Sequence, residues 1–506
     1  MGDESGVGLQ PCSNCLRPLQ ITSSFKKLKV IFNRGYNLNI EQKVERNDRQ
    51  EGRELHISGR LDVRSSGETG TTLLGQHLNT GRVEVEIASG DVRLTTATSI
   101  HKTDQQVITI STPFAVNWWD ADGPRPCVMI HIVVYAPLRG GIDTLVLKVA
   151  NLDISFAKSL KLYAVGTTII TTESGKIHVP FPKSRTDEKS PYTLQSRQII
   201  VNTSSGDIEG WFPLHHLLKI QSKSGNVLVE VGLESTFLDS TTHANLFVET
   251  ISGTIGISAQ SVFYGNIWCR RPKKQPPARD YVVELTTVTG IIDAHVVMAS
   301  RGVFHSTTGD VSLEVLPLLF SSRGDGQSRL ETVVKSGLTS IYMLEPLLCN
   351  VPCIKDASLM MTGFNNSLGL TRLQSYHQSI GGHIKVEYPQ SWAGEFSTET
   401  CGKVSLEGQS IIITHSNQGV PGIVGGLKSQ GTSTVGIKSN SGDVALHFDE
   451  TDDSSPASTG CTARDVEVTH VAIPTRVADE PNSLYFCDSG IDWKNIAGLL
   501  TPRGAV

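Results

Sequence analysis

Residues 217–231 read LLKIQSKSGNVLVEV, and the shape of this phrase decides the fold. Apolar Leu218 and Ile220 alternate with polar residues, a Ser-Lys-Ser-Gly run follows, and Val227, Val229 and Val231 resume the alternation. A period of two is the mark of a strand with one buried face. Gly225 stands between the two halves, where a residue without a Cβ adopts a corner conformation that other residues reach only at a cost. The phrase therefore reads as two short strands joined at a corner. Val227, Val229 and Val231 face inward, with Asn226, Leu228 and Glu230 outward. The Thr, Ser, Asp and Lys residues between the aliphatics face solvent on this reading.

The phrase recurs along the chain. NLFVETISGTIGI (245–257), YVVELTTVTGIIDAHV (281–296), GEFSTETCGKVSLEG (394–408) and STVGIKSNSGDVALHF (433–448) share its pattern of alternation, Ser/Thr run, glycine and renewed alternation. Weaker copies are TTIITTESGKIHV (167–179), HLNTGRVEVEIASGDVRL (77–94) and LETVVKSGLTSIYML (330–344). Gly206 and Gly225 lie 19 residues apart, as do Gly290 and Gly309, and Gly382 and Gly402 lie 20 apart. The intervals Gly253–Gly290 (37) and Gly402–Gly442 (40) read as two units each. A unit of about twenty residues cannot bury its own apolar face, whereas stacked units share a continuous core. The expected fold is all-β: a β-solenoid of the parallel β-helix kind, right-handed by the general preference of crossovers, with an irregular N-terminal β cap. An antiparallel β-sandwich meander gives similar alternation and stands as the alternative. Near-constant spacing favours the solenoid.

At these landmarks the sequence also resembles a known family. VNTSSGDIEGWFPLHHLLKIQSKSGNV (201–227), PARDYVVELTTVTGIIDAHV (277–296), IKVEYPQSWAGEFSTETCGKVSLEG (384–408) and IKSNSGDVALHF (437–448) resemble the adhesin-like domains of unknown function, in particular a fungal branch. The resemblance runs from about residue 126 to 448. It implies a β-helical fold and brings no catalytic residues, because that family has no established chemistry to carry over. The chain departs from the usual Ser-Gly corner at Cys401-Gly402 and Thr289-Gly290, where small residues still fit.

Composition agrees with an all-β chain. Its 506 residues include 47 glycines, with 19% charged and 6% aromatic residues. A net charge of −5 spread over this length gives no electrostatic reason to expect nucleic acid. The basic segment CRRPKKQPPARD (269–280) reads as a solvated insertion between strands. The most apolar run, CVMIHIVVYAPL (127–138), falls short of the roughly eighteen residues of a membrane span and reads as a buried strand, so no transmembrane segment is expected. The first residues lack the basic start and apolar core of a secretory signal, which favours a cytoplasmic or unconventionally exported protein. Nine thinly spread cysteines argue against a disulfide framework; Cys12 and Cys15 lack the second pair of a zinc ribbon, and Cys349 and Cys353 read as loop thiols.

The chain divides into a tail (1–20), an N-terminal β cap or small β domain (21–150), the repeat solenoid (151–450), and a linker with a loosely ordered C-terminal tail (451–506). VEVEIASGDVRL (83–94) reads as strand in the cap, and ARDVEVTHVAIPTR (463–476) could add one strand after the acidic DETDDSSPASTG.

The chemistry of β-helical lyases and hydrolases needs paired carboxylates or a cation bridged by them. Here the acidic pairs Asp120/Asp122, Asp187/Glu188 and Asp452/Asp453 lie in loops and the tail. Asp91, Asp207, Asp310 and Asp443, each following a glycine, read as turn residues bonding their own backbone. No nucleophile elbow, phosphate loop or dinucleotide fingerprint occurs, and no cofactor or metal is expected. His215 and His216 are adjacent on a strand and point to opposite faces. The candidate ligand-binding residues are Trp118, Trp119, Asp120 and Asp122 in the loop NWWDADGPRP: indole faces beside acidic groups could hold a sugar ring, or the rings could plug the gap between cap and solenoid. Trp211 and Trp392 read as structural. The sequence thus points to a non-enzymatic adhesin-like protein, binding a glycan or protein surface, or acting as a scaffold, through a polar solenoid face. The alternative is a carbohydrate-active β-helix enzyme.

Overall fold

Each unit of the repeat resolves into two strands that go to different sheets. Thr193–Thr203 is followed by a glycine corner and by Ile208–Leu214; Leu217–Ser222, a second glycine corner and Val227–Leu233 come next. Thr193–Thr203 pairs in parallel with Leu217–Ser222, and Ile208–Leu214 pairs in parallel with Val227–Leu233. The chain therefore winds, each turn laying one strand on each wall. In this computed structural model the described residues are 22–46, 52–66, 79–117, 125–138, 140–182, 191–235, 243–259, 276–320, 327–349, 370–417 and 421–449.

Among the described residues two sixteen-stranded sheets result, here called the first sheet (with Ile208–Leu214) and the second sheet (with Thr193–Thr203). Pairing is parallel throughout the middle, as in Val311–Phe320 with Thr339–Met343. This corrects the sandwich-meander alternative, whose hairpins would pair neighbours antiparallel. Antiparallel pairs occur at the two ends: Thr22–Ile31 with Thr80–Ser89 at one, Gly422–Lys428 with Gly394–Thr400 and Ile411–Asn417 at the other. Between the sheets lies a continuous aliphatic core running from Val30 to Phe448. Val227, Leu313 and Leu446 are 0%, 3% and 1% exposed, as the alternation requires. The run at 127–138 is the buried strand expected: Cys127–Ala136 lies inside the first sheet, and Val128, Ile130, Ile132 and Val134 are buried. Among the described residues no helix is long and apolar enough to cross a membrane.

The template glycines stack in a column. A Cβ placed on Gly206 would lie 1.8 Å from the carbonyl oxygen of Gly175; one on Gly225 would lie 1.9 Å from that of Gly206, and the series continues through Gly253, Gly290, Gly309, Gly337, Gly382, Gly442 and Gly402. Each winding rests backbone on backbone at this corner. Conformational freedom, the reason read from the sequence, holds for Gly253, Gly309 and Gly337, which have φ of 158°, 132° and 134°. Close approach is the reason common to all.

The hydroxyls at this corner also face the other way from the sequence reading. The residue three before the glycine points inward: Thr172, Thr203, Ser222, Ser379 and Ser439 are buried, and each side-chain oxygen accepts from the N–H of its glycine at 2.8–3.0 Å. The hydroxyl satisfies a backbone donor that the tight corner removes from water. Thr203→Val keeps the shape and leaves the Gly206 N–H without its acceptor. We expect a loss of about 1–2 kcal/mol in urea unfolding, with no loss contradicting this role.

The aspartates after the glycines do not bond their own loop. The Asp207 carboxylate accepts from the N–H of Asn226 at 3.0 Å, Asn226 in turn from Thr254, Asp310 from Leu338 and Asp443 from Lys403. Each reaches the next winding. Asp91 differs: its side chain caps a short helix, Val92–Ala97, by accepting from Arg93 N. This corrects the strand expected over the last residues of 83–94, because an Asp in extended conformation before a helical turn satisfies one of its orphan N–H groups.

Spacing misled at two places. Gly253 and Gly290 lie in adjacent windings, since Ala244–Ser252 pairs directly with Tyr281–Thr289. The extra residues are spent at the corner opposite the glycines, between Ile255–Ser258 and Tyr281–Thr289. At the C-terminal end the strand order is interlaced. Ser433–Ser439 and Val444–Phe448 insert between the winding of Gly382 and that of Gly402, so Gly442 contacts both. Gly402 to Gly442 is thus one step rather than two units. The N-terminal end is interlaced likewise: His56–Ser65 pairs with both Cys127–Ala136 and Asp153–Phe156.

Candidate surface groove

The loop with Trp118, Trp119, Asp120 and Asp122 lies outside the described residues, as do Asp187, Glu188, Asp452, Asp453, Cys12, Cys15 and Cys353. Cys349, read as a loop thiol, ends a short strand, Leu347–Cys349, that pairs in parallel with the end of Val311–Phe320, and several of the other singled-out residues have structural roles. Trp211 and Trp392 are buried; Trp211 meets Tyr192 edge-on at 5.5 Å, and Trp392 packs against Tyr388 and Phe448. His215 is buried with its Nδ1 3.3 Å from the Ser235 carbonyl, and burial pushes its pKa down. The end of the basic segment is no solvated insertion: Arg279 is 3% exposed and donates to the Glu234 and His243 carbonyls at 3.1 Å. Among the described residues no three His, Cys, Asp or Glu side chains gather to hold a metal ion.

A groove of about 750 Å³ opens on the outer face of the second sheet near its C-terminal end. Six strands pass beneath it side by side: Ser328–Ser336, Leu373–Ser379, Ser433–Ser439, Gly394–Thr400, Gly422–Lys428 and Ile411–Asn417. Register sets its surface, because outward residues opposite one another form rows across the strands. One row runs Glu331, Tyr376, Gly436, Ser397, Gly425, His415. The next runs Arg329, Gln374, Thr434, Glu395, Leu427. In the first row two glycines lower the surface to bare backbone between two rings. Tyr376 leans over Gly436, where a Cβ would sit 3.4 Å from its ring, and the His415 ring covers Gly425.

Tyr376 is 40% exposed, and its hydroxyl donates to Gln378 Oε1 at 3.2 Å. Burial, reinforced by Glu399 and Glu331 against the opposing Lys438, pushes the phenol pKa up, so it stays a neutral donor. Arg329 is held by Glu331 at 2.9 Å. Glu395 is the one carboxylate among the residues lining the groove.

The sequence did not reveal this site. Tyr376 and Gly436 are 60 residues apart and become neighbours through the interlaced strand order at this end. A lone exposed Tyr in an alternating strand carries no local signal.

No family model matches the chain, and no curated relative does. Three bacterial proteins of solved structure are similar. An adhesin-like protein of Parabacteroides distasonis is 12% identical over 66% of this chain and 97% of its own, with a TM-score of 0.22. A cell-adhesion-like protein of Clostridium sporogenes is 5% identical over 84% of this chain and 100% of its own, with a TM-score of 0.16. An adhesin-like protein of Parabacteroides merdae is 8% identical over 65% and 96%, also at 0.16. None of them bears on the fungal branch. The fold rests on the strand pairing of this chain itself, and the chain is similar to these bacterial adhesin-like proteins without being identified by them.

Proposed function

We propose that the protein is a non-enzymatic binding protein of the adhesin-like kind, meeting a glycan or protein surface through the outer face of its second sheet. The observation that carries this reading is the groove itself: a rigid floor of paired strands, two rings lying on glycines, and a rim of hydroxyl, amide and charged side chains. Binding sites pair a preformed concave surface with a few placed polar groups, and the groove has that form. Of the carboxylates around the groove, Glu331 is tied to Arg329 and Glu399 to Lys438, which counts against the carbohydrate-active enzyme.

Gly436→Arg fills the floor without touching the core. Retention of the purified protein on intact bacterial, yeast and animal cells is expected for the wild type on at least one of the three, and to fall about tenfold in this variant. Equal retention of both proteins, or none by either, contradicts the proposal.

A further inference from the structure

Resting on that reading, we infer that the groove takes a neutral oligosaccharide laid across the strands, with one sugar ring on the face of Tyr376. The register supplies the first argument. Neighbouring strands are spaced about 4.8 Å apart, close to the advance of one pyranose unit, so successive rings meet successive strands. Along the row from Tyr376 to His415 the missing side chains of Gly436 and Gly425 let the two rings lie low against the sheet, with Ser397 between them, so that the rings themselves can face a sugar.

The second argument is the chemistry of the lining. Tyr376 offers a partly exposed aromatic face, apolar in the middle and polar at its edge, which suits the C–H face of a sugar. Its hydroxyl is tied to Gln378, which fixes the ring in place before any ligand arrives. Around it Gln374, Thr434, Ser397 and Thr414 present amide and hydroxyl groups that can both donate and accept, as vicinal sugar hydroxyls do. A protein partner would instead be anchored mainly by large apolar side chains in dry pockets, whereas the open apolar side chains here, Leu427 and Ile412, lie toward the sheet edge, away from Tyr376.

Charge selects the third feature, neutrality. The guanidinium of Arg329 is occupied by Glu331, Lys438 by Glu399, and Glu395 adds a negative charge to the rim. A sulfated or uronic glycan would have to compete with these carboxylates for both cations.

The experiment is calorimetric titration of the full chain with four hexasaccharides: β-1,3-glucan, β-1,4-glucan, chitin and mannan fragments. At least one is expected to bind. Tyr376→Ala should weaken that binding about tenfold or more, while Tyr376→Phe, which keeps the ring, stays within about threefold. Gly436→Leu, whose added side chain covers the track, should abolish it. Wild-type unfolding curves for Tyr376→Ala and Tyr376→Phe show that the fold is intact. Failure of all four sugars at millimolar concentration, or equal binding by Tyr376→Ala, overturns the inference. If retention on cells still depends on Gly436 while every sugar fails, the binding reading stands and the oligosaccharide inference falls. If retention fails as well, both readings fall.

Discussion

Gly382→Ala is expected to cost about 4 kcal/mol or more in unfolding free energy, while Gly381→Ala, one residue earlier in the same corner, stays within about 1 kcal/mol. The two glycines look alike in the sequence GG. A Cβ on Gly382 would lie 1.8 Å from the Gly337 carbonyl oxygen, whereas on Gly381 the nearest atom is the Lys335 carbonyl oxygen at 3.7 Å. The obstructing atom at Gly382 is backbone and cannot rotate away. Gly337 cannot retreat either, because it sits against Gly309, and Gly442 rests on Gly382 from the far side. The winding must open or the chain unfold. Urea denaturation of the two variants decides the matter; equal stabilities would show that the column tolerates side chains and that close approach is not what selects glycine.

The second large effect is a dependence on pH. His377 points into the core from Leu373–Ser379 and is 0% exposed. Its Nδ1 lies 2.9 Å from Thr332 Oγ1 and its Nε2 3.0 Å from the Tyr388 hydroxyl, while burial lowers its pKa to about 3. The folded pKa is thus below the unfolded value of about 6.5, so the unfolded chain binds more protons between them. Stability from this group is complete above about pH 6.5 and drains away as pH falls, by about 2 kcal/mol at pH 5 and about 3 kcal/mol at pH 4. His377→Gln removes the titration. The wild type should lose its advantage over this variant between pH 7 and pH 4; parallel stability curves would mean that His377 is protonated or solvated in the fold. The comparison with a variant matters because other groups titrate in acid. Asp62 is one: burial alone would raise its pKa, but hydrogen bonds from His131 and Ser155 and the charges of Arg60 and Arg64 hold it below the usual carboxylate range. Its contribution is present above about pH 4 and lost only below, outside the window assigned to His377.

Local order in the sequence was enough to name the fold. Alternation at Val227, Val229 and Val231 and a glycine at the repeated corner are both properties of a few consecutive residues, and burial selects them directly. What the glycine does could not be read in the same way. A corner that needs a special φ and a corner that needs an empty Cβ position call for the same residue, and only the stacked windings distinguish them. The inward Thr203 and Ser222 were misread because a hydroxyl in a polar run looks solvated; its partner is a backbone N–H that no composition displays. Strand order at the ends was invisible for a further reason. Gly402 follows Gly382 by a regular interval, yet a later stretch of chain, with Gly442, takes the place between them. The groove inherits that concealment, since Tyr376, Gly436 and His415 meet only through it.

The central claim is that windings stack in parallel with a fixed register, and engineered cysteines test it most directly. Ser312 and Ser340, 28 residues apart, are outward-facing neighbours on adjacent strands of the first sheet, and Lys385 lies one strand further on. Neighbouring strands bring Cα atoms about 5 Å apart, within disulfide reach, and the next strand about 10 Å, beyond it. Ser312→Cys with Ser340→Cys is predicted to form a disulfide on mild oxidation of the folded protein, and Ser312→Cys with Lys385→Cys to remain reduced. A disulfide in the second pair and none in the first would contradict the stacking.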